Sequence, residues 1–263
     1  MIITKNMYNL VLDSYKLFTV QQVLKYSHEN FNSWNIEVST GTIENYYFVI
    51  DTQYDEAFSH WIFESAIYLP IFKELQKLYP TIKLVLKTKK TFKTLFCNFF
   101  GIEPVYKIET NNLCIFPTPL SAQNDKHITD DYKQYVYKFR TYFQKESEIQ
   151  YENIVMPRQT KENFAPNDRQ YNFNPLIEQL NNPYILNTDE ITELNQQINT
   201  VQSGKNIYLS EGAPFLVNGL FCKNKNIFIV YPTHTYIQQE HLYIKIKFVF
   251  DLHRENNVVS YLQ

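Results

Sequence analysis

An unbroken apolar run, Tyr46–Ile50, is short, aromatic and β-branched, which predicts a buried strand ending near Asp51. From about Asp55 to Leu78, the residues Phe58, Ile62, Ala66, Leu69, Phe72, Leu75 and Leu78 recur at helical spacing, and Pro70 is expected to kink or divide that helix. A strand over Ile82–Leu86, a helix over Thr91–Phe100 closed by Gly101, an extended stretch over Ile102–Ile108 and a strand over Leu113–Phe116 follow. Two prolines and many polar residues make 117–127 a surface loop, and a helix from Asp130 to Lys145 leads onward. The second half repeats the alternation. Strand Tyr151–Met156, short helix Leu176–Asn181, strand Pro183–Leu186 and a helical stripe of Ile191, Leu194, Ile198 and Val201 come first, with Thr188–Ile191 as its cap region. Strand Asn206–Leu209, a glycine turn, helix Pro214–Leu220 and strand Asn226–Val230 complete it. Near the end, Tyr243–Phe250 alternates apolar residues with Lys245 and Lys247, which predicts a half-exposed strand with an edge open to another subunit.

Strands alternating with helices imply an α/β fold whose parallel sheets are covered on both faces. At 263 residues the chain has room for two lobes, and the restart of the pattern suggests a second nucleotide-binding-type unit. No internal repeat or low-complexity tract interrupts it.

Composition narrows the partners. With 25 basic against 27 acidic side chains and a net charge of -2, the whole-molecule field does not favour nucleic acid or anionic lipid, so an anion must be gripped locally. Aromatics reach 16%, but they fall at core periodicities rather than along a basic stripe. Cys97, Cys114 and Cys222 show no metal-ligand or redox spacing and read as reduced core residues. The N-terminal residues do not resemble a secretory leader, and no stretch approaches the ~18 apolar residues of a membrane span. A soluble, intracellular protein is the expectation.

Three segments carry candidate chemistry. In Ile207–Phe221 a buried strand enters a turn, Ser210-Glu-Gly-Ala213, and then a helix with Pro214 in its first turn. Unpaired N–H groups at such a helix start suit a diphosphate, although a plain strand-turn-helix connection fits the segment equally well. Arg158 follows the first strand of the second half and Arg169 lies eleven residues later. Loops after strand C-termini face the ligand crevice of a parallel sheet, where guanidinium forks match phosphate oxygens. Pairing with surface carboxylates is the alternative, favoured for Arg169. In the first half, His60 and Glu64 stand four apart on one helical face, a usable proton-accepting pair that is also a common helix-face pair. The second histidine of a zinc HExxH motif is missing.

Taken in order, these segments resemble the family 61 glycosyltransferases. Phe58-Ser-His-Trp-Ile-Phe-Glu64 with Leu69-Pro70 is similar to the family's His-x-x-x-Asp/Glu signature followed by Leu-Pro. The Arg158 and Arg169 segment is similar to its Arg-bearing loop, and Asn195-Gln-Gln-Ile198 resembles its Glu-Gln-Ile element. Glu211–Phe221 resembles its Gly-Ala-x-x-x-x-Asn-x-x-Phe signature, and the resemblance spans roughly residues 46–231. It implies a GT-B architecture: two Rossmann-like lobes with parallel sheets and an interlobe cleft, an acceptor-side lobe over 1–148 and a nucleotide-sugar-binding lobe over 149–263. It also implies inverting, metal-independent transfer of a hexosyl or pentosyl group from a nucleotide sugar, usually a UDP sugar, to a hydroxyl of a glycan or glycoprotein. No obligatory cofactor is implied beyond that co-substrate.

By the same resemblance His60 and Glu64 activate the acceptor, Glu64 being the favoured base. Arg158, Arg169, Ser210, Glu211, Gly212, Ala213 and Asn218 serve the donor. Glu211 departs from relatives that carry His at that place. A carboxylate beside a diphosphate is unfavourable unless it turns away, which points it to sugar hydroxyls or to holding the loop. The compact chain resembles a cytosolic, viral or bacterial branch, with a cytoplasmic location expected. A non-catalytic glycan- or nucleotide-binding relative is the alternative. A methyltransferase-like enzyme is disfavoured, because no Gly-x-Gly loop follows an early strand.

Overall fold

The computed structural model describes residues 15–19, 36–37, 46–50, 55–109, 113–117, 128, 130–157, 172–230 and 244–262. The chain divides into two compact units, residues 1–125 with 129–139 and residues 126–128 with 140–263. The boundary falls inside helix Asp130–Thr141. Both units are α/β with parallel strands.

In the first unit, β1 (Tyr15–Thr19), β3 (Tyr46–Val49), β4 (Lys83–Val85) and β6 (Leu113–Pro117) form a four-stranded sheet in the order β1-β6-β3-β4. Strand β3 is parallel to both neighbours, while β1 runs antiparallel to β6. A parallel bridge from Val85 to Val105 extends the β4 edge. A separate pair joins β2 (Ile36–Glu37) to β5 (Ile108–Glu109). Tyr47, Phe48, Val49 and Ile50 are all buried, as expected of a central parallel strand covered on both faces. Burying a side chain such as Phe48 stabilises the fold by roughly 1.5–3 kcal/mol.

After β3 the expected long helix is divided into α1 (Phe58–Glu64), a 3-10 turn (Ala66–Tyr68) and α2 (Leu69–Leu78). Pro70 sits in the first turn of α2, where its missing N–H is no loss. Helix α3 (Thr91–Phe99) ends as its sequence predicts. Gly101 has φ +62°, its N–H donates to the Asn98 carbonyl, and the Ile102 N–H donates to that of Cys97. That is a Schellman closure requiring a left-handed residue. Helix α4 (Asp130–Thr141) follows.

The second unit is a five-stranded, wholly parallel sheet built from β7 (Tyr151–Met156), β8 (Tyr184–Ile185), β9 (Gly204–Ser210), β10 (Asn226–Val230) and β11 (Val258–Leu262). Its order is β8-β7-β9-β10-β11. The chain thus moves from β7 to one side, then crosses to the other and continues outward. Helices α5 (Asn174–Gln179), α6 (Leu194–Ser203), α7 (Ala213–Asn218) and α8 (Ile244–Arg254) accompany it. Asn153, Asn206 and Asn226 occupy matched register positions on β7, β9 and β10. Their amides form a ladder, Asn206 to Asn153 at 3.0 Å and Asn226 to Asn206 at 2.8 Å.

One expectation is overturned. The segment Tyr243–Phe250 is not a half-exposed strand: from Ile244 onward it is helix α8. Its alternation satisfies a period of two, but the buried positions are Val249, Phe250, Leu252 and His253, which crowd one side of a helical turn. Phe250 and His253 both pack on Phe215 of α7, and this packing overrides the local pattern. The edge inferred for a second subunit disappears with it. Among the described residues, no helix is long and apolar enough to cross a membrane.

Candidate functional site

In the first unit, β3, β4 and β6 are parallel, so the segments after them emerge at one edge of the sheet. Having moved from β3 to β4, the chain later returns to the other side of β3 as β6. Such a reversal opens a crevice at the strand C-termini. Helix α1 follows β3 and carries His60 and Glu64. Their side chains meet, with Nδ1 of His60 2.9 Å from Oε1 of Glu64. The imidazole is 36% exposed and the carboxylate 8%. Trp61, on the buried face of α1, packs against Phe92 and Phe96 and so fixes α1 against α3.

Two phenols lie within electrostatic reach of Glu64. Burial, then Tyr135 and Glu64, raise the Tyr68 hydroxyl far above the ordinary phenol range. Burial, then Tyr68 and Glu64, do the same to Tyr132, whose hydroxyl donates to the Phe63 carbonyl at 3.1 Å. Both phenols therefore stay protonated around the carboxylate.

Sequence reasoning missed the group that holds this turn. Lys93 of α3 is completely buried, and its Nζ donates to Asp55 at 2.6 Å and to Thr88 at 3.0 Å. Thr88 donates in turn to Asp55 at 2.8 Å, and Lys87 Nζ stands 3.7 Å from the other Asp55 oxygen. A buried cation must be paired, and here the pairing joins the residues after β4 to the segment entering α1. The available signal was a lysine on the apolar face of α3, four residues before buried Cys97.

In the second unit the reversal lies between β7 and β9. Met156 is paired with Leu209, so the chain leaves both strands side by side at the sheet's C-terminal edge. Arg158 and Arg169, beyond β7, lie outside the described residues. Beyond β9, Gly212 has φ +85° and ψ -136°, a conformation essentially restricted to glycine. Among the described residues a Cβ there would meet nothing within 4 Å, so the requirement these residues show is conformational. Ser210 is buried with no hydrogen-bond partner for its Oγ among the described residues, and the Glu211 N–H donates to the Val230 carbonyl at 3.1 Å. Ala213 opens α7.

Asn218 faces the interior. Its Oδ1 accepts from Gln197 Nε2 at 2.6 Å and its Nδ2 donates to the Pro214 carbonyl at 2.7 Å. The structure thereby brings together two motif residues 21 positions apart, in the role of bracing α7 against α6. His253 is a second buried group that sequence reasoning passed over. Its Nε2–H donates to the Leu216 carbonyl at 3.0 Å, and burial pushes the imidazole down to about 3. Gly219 makes room for it, since a Cβ there would approach the ring to 2.4 Å. Burial likewise pushes the Cys222 thiol up to about 12, which makes it inert. Among the described residues, no cluster of His, Cys, Asp and Glu is arranged to hold a metal ion.

No family model matches the chain, and no curated protein matches it.

Proposed function

We propose that the chain is an inverting glycosyltransferase of the GT-B type, moving a sugar from a nucleotide donor, a UDP sugar, to a hydroxyl of a glycan or glycoprotein acceptor. The observation that carries the reading is the strand order of the second unit. Its reversal between β7 and β9 starts the segment leading to Arg158 beside the Ser210–Ala213 turn, and parallel α/β sheets take nucleotides at such reversals. In this reading the arginines and the backbone at Gly212 grip the diphosphate, while Glu211 serves sugar hydroxyls or the loop. Asn218 positions the turn from behind.

The pair His60 and Glu64, brought to 2.9 Å, supports the acceptor-activating half of the reading. The acceptor hydroxyl loses its proton to the pair and attacks the anomeric carbon opposite the leaving diphosphate, inverting it. Positioning and charge stabilisation supply most of the acceleration, and proton transfer contributes about 10²- to 10⁴-fold.

A thermal-shift panel of nucleotide sugars tests the donor half. At a ligand concentration of 100 Kd, the stabilisation is about 2.7 kcal/mol, which in a chain of this size raises Tm by about 5–10 °C. A panel with no stabilising nucleotide refutes the reading. With the donor known, the double variant His60→Asn/Glu64→Gln should keep the ligand-induced shift while transfer falls by about 10²- to 10⁴-fold.

A further inference from the structure

We propose that Lys225 is a modification site, a nucleophilic amine that takes the acyl group of a small acyl phosphate. Among the described residues two lysines are buried, and the fold treats them differently. Lys93, completely buried, holds the Asp55 carboxylate at 2.6 Å. Lys225 is 7% exposed, and no carboxylate among the described residues acts on it. A lysine with so little water around it is ordinarily paired. Its head is nevertheless open. Among the described residues, the sealed side-chain atoms without a hydrogen bond include Ser210 Oγ and His253 Nδ1 but not Lys225 Nζ, so this nitrogen keeps contact with solvent. A small reagent can meet it there while the stem stays packed.

The backbone fixes where the side chain starts. Lys225 immediately precedes β10. Its N–H donates to Asn257 Oδ1 at 3.0 Å, and its carbonyl accepts from the Val258 N–H at 2.9 Å. Asn224 before it takes φ +58° and donates its N–H to the Asn256 carbonyl at 2.8 Å. The turn is thereby pinned to the segment entering β11. This is the end of the sheet opposite the Ser210–Ala213 turn, because β9 and β10 run parallel and Ser210 pairs with Val230. The site is therefore independent of the transferase reading.

Withdrawing an ammonium from water without a counter-ion favours the free amine. Burial accordingly lowers the Lys225 pKa from the ordinary lysine value, with nearby Cys222 acting the other way. A pKa one unit lower means about tenfold more free amine near neutral pH. In the reaction the Nζ lone pair attacks the carbonyl carbon of the acyl phosphate and the C–N bond forms. The bond from that carbon to the phosphate oxygen breaks, phosphate leaves with the electron pair, and the amine proton passes to water. The amide product is neutral, so the step removes the charge that burial penalises.

The test is acetylation of the full wild-type chain by limiting acetyl phosphate, read by mass spectrometry of chymotryptic peptides. Lys223 and Lys225 fall on one such peptide, Cys222–Phe228, and fragment ions divide the label between them. Lys223 is the comparison, since its side chain is 35% exposed and pairs with Glu146 at 3.1 Å. Near neutral pH the folded chain should carry several-fold more label on Lys225 than on Lys223. That ratio should fall toward equality in concentrated urea. It should also shrink as the pH rises toward about 10.4, where ordinary lysines shed their proton as well. Equal or weaker labelling of Lys225 in the folded chain overturns the proposal. An excess that persists in urea overturns it too, because the local sequence would then be its source. So does an excess that is indifferent to pH, which would report access and not free amine. The wild-type chain decides every arm, so no variant has to fold.

Discussion

Lys93 in the first unit and His253 in the second are both buried bases, and the fold accommodates them in opposite ways. Lys93 is held as an ion pair with Asp55, with Thr88 bridging the two. His253 is held neutral, its Nε2–H on a backbone carbonyl. The difference follows from chemistry: an imidazole can shed its proton at modest cost, whereas an ammonium buried without a partner is far more costly. It also separates two kinds of fragility, one exposed by mutation and the other by acid.

The largest expected effect comes from breaking the ion pair on one side only. Lys93→Met takes the 2.6 Å ion-pair partner from the Asp55 carboxylate, which still faces Lys87 at 3.7 Å and Thr88, and Asp55→Asn takes the anion from the buried ammonium. Asp55→Asn should destabilise the first unit by about 3–5 kcal/mol, because it leaves a buried ammonium without its carboxylate, and Lys93→Met by less, because Lys87 still faces Asp55. The double variant Asp55→Asn/Lys93→Met should recover much of that loss. Urea denaturation of the four proteins measures the coupling. Purely additive losses would mean that the two groups do not act as a pair.

Acid is the corresponding lever on His253. Its imidazole is lowered from 6.5 to about 3 in the folded protein, so below 6.5 the unfolded chain binds one more proton than the native state. The contribution to stability is therefore full above pH 6.5 and is lost as the pH falls from there toward 3, at about 1.4 kcal/mol per unit. Urea denaturation of wild type and His253→Asn between pH 7 and 4 should differ in slope by one proton, with the wild type steeper. Equal slopes would show that the ring is not held neutral.

Both buried bases were hard to read from the sequence for the same reason. Asp55 and Lys93 are 38 residues apart, and His253 meets Leu216 across 37. Such pairings depend on the tertiary path. His60 and Glu64 were legible because four residues on one helix face is local geometry. The central strand of the first unit was legible as a continuous apolar run, Tyr46–Ile50, the pattern of a strand covered on both faces. Where local pattern and packing disagree, as over Ile244–Phe250, packing on Phe215 decides. Strands β1 and β11 were missed, since an edge position is set by pairing with β6 or β10 and not by its own pattern. The donor turn was half legible. Its glycine announced the tight turn, but nothing local revealed that Gln197 braces Asn218 from another helix.

The smallest expected effects sharpen the contrast between conformation and space. Gly212 and Gly219 lie seven residues apart around α7, yet they are glycine for different reasons. Gly212 adopts φ +85° with no described residue within 4 Å of where a Cβ would project, and Gly219 adopts φ -58° with the His253 ring 2.4 Å from that point. Gly219→Ala should cost about 1–3 kcal/mol as overpacking, and the loss should shrink when His253→Ala removes the ring. Gly212→Ala should cost about 1–2 kcal/mol as backbone strain, independent of any neighbour. Double-mutant cycles with His253→Ala separate the two, with strong coupling for Gly219 and none beyond about 0.5 kcal/mol for Gly212. Coupling at Gly212 would mean that the turn is shaped by the helix packed behind it, and the donor reading would then have to include α8 among the elements that position the diphosphate.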